Sequence, residues 1–324
     1  MANLDTIKAP IKEEMNLFEA NFKTSMRSKV ALLNIITTYI LRSKGKQMRP
    51  MFVFLTAKLN GGITPATYTH ASLIELSHTA SLIHDDVVDE SYERRGFFSI
   101  NALWKSKIAV LMGDYLLAKG LLIAVDNKAY DSLEIVSEAV REMSEGELLQ
   151  IQRSKSFKTT KDQYFEIIRM KTAALIAACT AGGAKSAGCD AETVAKMKLF
   201  GQHIGVAFQI KDDLFDYQSK GIIGKPVGND IKNKKLTLPL IHSLENCTSS
   251  EKKDILHAIN KYKKDSKNLE KIIDFVKLKG GVIYATAAMH EYKEKAMAIL
   301  ADYPHSEAKT SLIALVNYTI ERSK

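Results

Sequence analysis

The chain has 324 residues, 46% apolar and 26% charged, long enough to bury a large core and too apolar for intrinsic disorder. Its net charge of +9 comes from 37 Lys and 9 Arg against 37 acidic residues, with lysine clusters at Lys232 to Lys235 and Lys261 to Lys264. Such a balance suits nucleic acid, an anionic membrane or anionic small substrates, or simply a solvated lysine-rich surface; no nucleic-acid motif and no basic patch interleaved with stacking aromatics accompanies it, which argues against a nucleic-acid partner.

Taken in chain order, the N-terminal MANLDTIKAPIKEEM has no apolar h-region and reads as the start of an amphipathic helix, not a signal peptide. Almost every later segment between breakers is apolar with a period near 3.6, which predicts helices at roughly 11–43, 48–59, 65–90, 99–126, 130–152, 161–181, 190–218, 235–245, 250–264, 268–278, 282–301 and 305–322. The breaks fall at Gly61-Gly62, Gly96, Arg153 to Thr160, Gly182-Gly183, Gly221 to Gly228 with Pro226, Gly280-Gly281 and Pro304. The fold predicted is all-α. With no linker and no repeat, residues 1–324 read as one single-domain helical bundle around a central cavity. The longest uncharged run, Leu59 to Ile74, contains Gly61, Gly62 and Pro65, so no membrane-spanning helix is expected. Cys179, Cys189 and Cys247 form no metal spacing and no even disulfide framework, and a reducing cytoplasm is the expected setting.

Two acidic clusters carry most of the chemistry: Asp85, Asp86, Asp89 in SLIHDDVVDE and Asp212, Asp213, Asp216 in FQIKDDLFDY. Each is D-D-x-x-D. With 17 Asp in the chain, one such pattern arises by chance about 0.05 times, and two about once in a thousand chains of this composition. On a helix the first and third Asp share a face and the second flanks it. Carboxylates so placed repel one another, and a cation resolves this. All-oxygen donors without Cys suit Mg²⁺ or Mn²⁺. Mg²⁺ is held by one or two carboxylates with substrate phosphates completing its octahedron, which implies a phosphorylated substrate. Two solvated acidic helix faces are the bland alternative. The two helices, in this reading, face each other across one core, as metal sites in bundles do.

Fixed positive charge lies beside the acids. Arg94-Arg95 precedes Gly96 and follows Asp89, where two guanidinium forks can turn toward phosphate oxygens. Upstream, Gly45-Lys46-Gln47-Met48-Arg49-Pro50 sets Lys46 and Arg49 at a helix start, and His78 lies two turns before Asp85. His78 reads either as a satisfied core histidine or as a donor to a second anion. The stretch from Gly221 to Asp230, with Lys225, is either a phosphate-approaching loop or a solvent loop, and it is not a P-loop.

In this order the segments resemble the trans-isoprenyl diphosphate synthases, the polyprenyl synthetase family, from about residue 40 to the C-terminus. The resemblance implies that Lys46, Arg49 and His78 of GKQMRP and ELSHTAS hold isopentenyl diphosphate together with Arg95. It implies that Asp85 and Asp89 bind Mg²⁺, that Asp212 binds a third metal ion, and that Arg94, Lys171, Lys225 and Lys235 hold the allylic diphosphate. Lys171-Thr172 of RMKTAAL matches the family's pair at the leaving group, and Phe208 and Gln209 lie near the reacting carbons. One departure stands at Asn233-Lys234, where the family has Glu-Gly before the second lysine. A homodimer is also implied, visiting the membrane only to release product.

The reaction implied is ionisation of an allylic diphosphate, attack by the double bond of isopentenyl diphosphate, and loss of a proton. A terpene cyclase usually carries a single such cluster and needs no second diphosphate site. A non-catalytic partner subunit should have lost one cluster, and both are complete. A growing tail anchored at Asp85 and Asp89 runs toward the N-terminus of its helix past Ser81, Ala80 and Ser77, all small. An isoprene unit spans roughly one 5.4 Å turn, so a product longer than four isoprene units is predicted; the resemblance is to synthases of the octaprenyl or heptaprenyl type and implies a quinone side chain as its destination. The short-chain farnesyl or geranylgeranyl reading is the alternative.

Overall fold

The structure is a computed structural model that describes residues 3–43, 45–94, 96–154, 159–217, 228–233, 235–261 and 266–321. In chain order its helices are α1 (Leu4–Lys8), α2 (Lys12–Ser25), α3 (Ala31–Arg42), α4 (Met48–Leu59), α5 (Pro65–Val88), α6 (Ile100–Asp126), α7 (Tyr130–Ser154) and α8 (Lys161–Ile168). There follow α9 (Ala174–Ser186), α10 (Ala191–Leu214), α11 (Asn229–Lys232), α12 (Leu238–Glu245), α13 (Ser249–Lys261), α14 (Ser266–Leu278), α15 (Gly281–Ala301) and α16 (Glu307–Glu321). A two-residue hairpin, β1 (Glu93–Arg94) and β2 (Phe97–Phe98), pairs antiparallel with Arg94 opposite Phe97. The all-α prediction holds.

The described residues form two compact units: Met1–Val140 with Leu175–Gly201 and Leu300–Leu315, and Arg141–Ala174 with Gln202–Ile299 and Val316–Lys324. In the first, α5 packs against α4 and α6. The α5 helix begins in a capping box at Thr64 with Pro65 at its first turn, which satisfies amides that would otherwise be orphaned. Phe52, Phe54, Leu73, Ile74 and Leu76 are buried there, and Phe54 stands edge-on to Phe18 and Tyr68 at 5.8 and 5.0 Å. The second unit has its own core, in which Tyr217, Ile231, Leu240, Ile259, Ile272 and Val276 are buried together.

Three expectations are corrected. The predicted helix 11–43 breaks after Ser25, because Asn34 takes over the local backbone: its Oδ1 accepts from Ser28 N at 2.9 Å and its Nδ2 donates to Ser28 O at 2.6 Å, which competes with helical bonding. The predicted break at Gly182-Gly183 is helix, running to Ser186. There the glycines serve close packing: a Cβ on Gly182 would fall 1.9 Å from His70 Nε2, and one on Gly183 2.6 Å from Val53 O. Finally, Ile100–Asp126 and Lys161–Ser186 are each long and apolar enough, by length and composition, to cross a bilayer. Single charges such as Asp114 and Lys119 interrupt an uncharged run without making the helix polar.

Candidate active site

Both acidic clusters occupy the same place on their helices. Asp85 and Asp86 are in the last turn of α5 and Asp89 is its C-cap, its amide donating to Asp85 O at 2.8 Å. Asp212 and Asp213 are in the last turn of α10, and Asp216 follows in a 3₁₀ turn, Phe215–Tyr217. A helix C-terminus is the negative end of the macrodipole, so each cluster adds anions where the backbone already disfavours them, at about 0.3–1 kcal/mol per charge. Cations offset that.

In each cluster the middle carboxylate is buried and held by protein. Asp86 is 3% exposed, and its Oδ1 accepts from Arg94 Nε at 2.9 Å and Nη2 at 2.7 Å. Arg94 is brought there by the hairpin, whose turn contains Gly96 at a φ of 78°, a left-handed conformation suited to glycine. Ser91 N donates to Asp86 O at 2.9 Å. His84, two residues before Asp86, lies over Gly113, with Nε2 3.2 Å from Val110 O. These contacts fasten the end of α5 to its surroundings. Asp213 is 4% exposed; Tyr164 donates to its Oδ2 at 2.6 Å and Gln209 Nε2 to its Oδ1 at 2.8 Å. Asp85 and Asp212 are half-buried and Asp89 is exposed.

Asp213 heads a chain of hydrogen bonds. Thr172 Oγ1 donates to Gln209 Oε1 at 2.7 Å, which leaves the Gln209 amide nitrogen to reach Asp213. Lys171 pairs with the Glu147 carboxylate. Asp216, 8% exposed, accepts from the Asp230 amide at 2.7 Å. Lys171, Thr172, Gln209, Asp213, Asp230 and Lys235 line one cleft, with Gln150, Arg153 and Tyr164 also on its wall. Burial, then the Asp230 charge, pushes the Asp213 carboxyl up to about 8, against the hydrogen bonds from Tyr164 and Gln209. Burial is the larger cause of that rise, with the neighbouring Asp230 carboxylate adding to it.

The remaining predicted residues lie as follows. Gln47 caps α4 with a left-handed φ of 52°, between exposed Lys46 and half-buried Arg49. His78, Ala80 and Ser77 are buried at 8%, 0% and 5% exposure on α5, and Ser81 is half-buried. Phe208 is half-buried on α10, next to Gln209. Arg95 and Lys225 lie outside the described residues.

The polyprenyl synthetase model matches residues 30–276. The chain belongs to the polyprenyl synthetase family. It is 33% identical over 323 residues to the octaprenyl diphosphate synthase of Escherichia coli (strain K12), across 99% of this chain and 100% of that relative. Among solved structures, a decaprenyl diphosphate synthase from Rhodobacter capsulatus aligns with a TM-score of 0.93 at 33% identity, over 99% of this chain and 100% of that one. A geranylgeranyl pyrophosphate synthase from Bacteroides thetaiotaomicron aligns at 0.83 with 38% identity, over 98% and 99%.

In this polyprenyl synthetase the donor set fits a hard divalent cation. The clusters are all carboxylate and sit at the negative ends of their helices. Among the described residues no three acidic, His or Cys side chains converge into a ready-made cage.

The sequence pattern assigns no site role to Tyr164, Gln150 or Arg153. Tyr164 lies seven residues before Lys171, two helical turns along the same face, a spacing that could have found it. Gln150 and Arg153 lie at the end of α7, where Arg153 opens the stretch that the sequence marks only as a break.

Proposed function

We propose that this chain condenses an allylic diphosphate with isopentenyl diphosphate, repeatedly, to a long-chain all-trans polyprenyl diphosphate that becomes a quinone side chain. Membership of the polyprenyl synthetase family makes it a chain-elongating prenyltransferase. The observation that carries the site assignment is the cleft in which Lys171, Thr172, Gln209, Asp213 and Lys235 meet. Mg²⁺, taken by Asp85 and Asp89 and by Asp212, would neutralise diphosphate as a Lewis acid when bound.

The chain's own residues do the rest. Lys171, Lys235, Lys225 and Arg94 provide cationic donors for the allylic diphosphate, which leaves as the allylic C–O bond breaks. Thr172 and Gln209, joined by their hydrogen bond, set a fixed polar wall beside the reacting carbons. Lys46, Arg49, His78 and Arg95 hold isopentenyl diphosphate so that its double bond forms the new C–C bond. The proton then lost from that unit passes to the released pyrophosphate. No protein nucleophile is required.

Product length is read from α5. Ser77, Ala80 and Ser81 are small, and the long-chain reading takes the growing tail along their side of α5. The 38% identical relative named a geranylgeranyl pyrophosphate synthase keeps a shorter product as the second reading. A homodimer is supported by α6, whose exposed face carries Val110, Leu111, Leu121, Leu122 and Val125, an apolar stripe of the kind that marks an interface. A cytoplasmic location is supported by Cys179, Cys189 and Cys247, all free thiols. The test is incubation of purified protein with an allylic diphosphate and labelled isopentenyl diphosphate, with and without Mg²⁺. Condensation that requires the cation is expected, and no condensation in its presence would sink the reading.

A further inference from the structure

The helical stretch that carries Lys171 and Thr172 is not α-helical where it carries them. Arg169–Ala173 is a π turn between α8 and α9, closed by the Ala174 amide on Arg169 O. An extra residue in a helical turn changes which way the following side chains point, and such bulges recur at functional sites.

Two glycines from other helices press on this turn. A Cβ on Gly146 of α7 would lie 2.8 Å from the Lys171 backbone nitrogen and 2.8 Å from Met170 Cβ. A Cβ on Gly205 of α10 would lie 2.4 Å from Ala173 Cα and 2.6 Å from Ala173 Cβ. These are backbone and first side-chain atoms, which cannot swing aside. Both glycines lie within helices, α7 and α10, where Gly is disfavoured relative to Ala. It is the missing side chain that the site uses, and each glycine is followed by the residue that grips the turn. Glu147, next to Gly146, pairs with Lys171. Gln209, one turn after Gly205, accepts from Thr172 at 2.7 Å.

We infer that Gly146 and Gly205 are positioning residues: their bare Cα atoms seat α7 and α10 directly on the π turn, so that Glu147 and Gln209 reach Lys171 and Thr172 and aim them into the cleft. This rests on the prenyltransferase reading of that cleft. Adding a methyl group at either position pushes the turn away and misdirects both side chains without removing any functional group.

The test compares G146A and G205A with G201A in the full chain. Gly201 is a matched control on α10, one turn earlier, where a Cβ would fall 2.6 Å from Ile176 O and 2.8 Å from Ala177 Cα, off the π turn. The readouts are urea unfolding, kcat per folded molecule, and the KM for each substrate. G146A and G205A should lose about tenfold or more in kcat with the isopentenyl diphosphate KM within about twofold, whereas G201A should lose stability and keep kcat within about twofold. Unchanged kcat in both variants, or an equal loss in G201A, would overturn the inference. Should G205A not fold, G146A, the looser contact, decides alone, and a G146A chain that also fails to fold overturns a local role. A wild type without condensation would instead sink the proposed function, so the two failures are distinguishable.

Discussion

The Tyr164 hydroxyl donates to Oδ2 of Asp213 at 2.6 Å, tying the start of the Lys171 helix to the second acidic cluster. Removing that donor leaves the buried carboxyl with the bond from Gln209 Nε2 to its other oxygen. Tyr164→Phe should therefore lower stability by about 1–2 kcal/mol in urea unfolding. Turnover should fall by about three- to tenfold, because Gln209 is still held by Thr172. Turnover and stability both at wild-type level would remove Tyr164 from the site.

Asp85→Ala and Asp212→Ala should each abolish condensation and leave the fold intact. Each change removes a proposed cation ligand and also an anion from the negative end of α5 or α10, so thermal stability should hold or rise slightly. Activity assays and melting curves on the same preparations check both halves. Near-normal turnover in either variant, with an unchanged Mg²⁺ requirement, would contradict the two-cluster assignment.

Lys46→Ala and Arg94→Ala should fail differently. Lys46 is exposed, and its loss should raise the isopentenyl diphosphate KM by an amount worth about 1.5–3 kcal/mol, with stability unchanged. Arg94 holds the 3% exposed Asp86 as well. Its loss should weaken the allylic substrate and also destabilise the chain by about 1–3 kcal/mol through the unpaired carboxylate. Equal effects of both variants on both Michaelis constants would refute the assignment.

Acid should loosen the fold through His70. It is fully buried, its Nε2 lies 3.0 Å from Ala178 O, and burial pushes its pKa down to about 4 from 6.5, against that hydrogen bond. Between these values the unfolded chain binds a proton that the folded chain refuses, so stability is complete above pH 6.5 and falls as pH drops toward 4, by about 3 kcal/mol. Urea midpoints across that range should fall more steeply for the wild type than for His70→Gln. Parallel slopes would assign the acid lability to other groups.

The sequence made the acidic clusters legible because D-D-x-x-D is local: spacing alone sets Asp85, Asp86 and Asp89 on one helix end. It could not reveal that Asp86 and Asp213 are gripped by Arg94 and Tyr164, since those partners depend on a hairpin and on a helix 49 residues away from Asp213. Helix periodicity predicted the 161–181 stretch, yet the π turn at Arg169–Ala173 leaves no mark in an apolar pattern. Gly182 and Gly183 misled for a related reason. A glycine in sequence reads as a breaker, and only the neighbouring His70 and Val53 show that it is there for close approach.

Bulk on α5 should shorten the product. Ala80 is fully buried and Ser81 half-buried, one turn before Asp85, and an isoprene unit spans roughly one 5.4 Å helical turn. Ala80→Phe with Ser81→Phe should stop growth at C15 to C20, read by chromatography of the dephosphorylated products. A double variant with the wild-type product distribution would show that the tail does not pass these positions.

The most direct measurement is the product distribution of the wild-type protein itself. Purified enzyme, given Mg²⁺, an allylic diphosphate and excess labelled isopentenyl diphosphate, is run to completion, and its products are dephosphorylated and resolved by chain length. Chains longer than C20, formed only with the divalent cation, are the predicted result. Products that stop at C15 or C20 would contradict the long-chain assignment, and no labelled prenyl product at all would contradict the prenyltransferase itself.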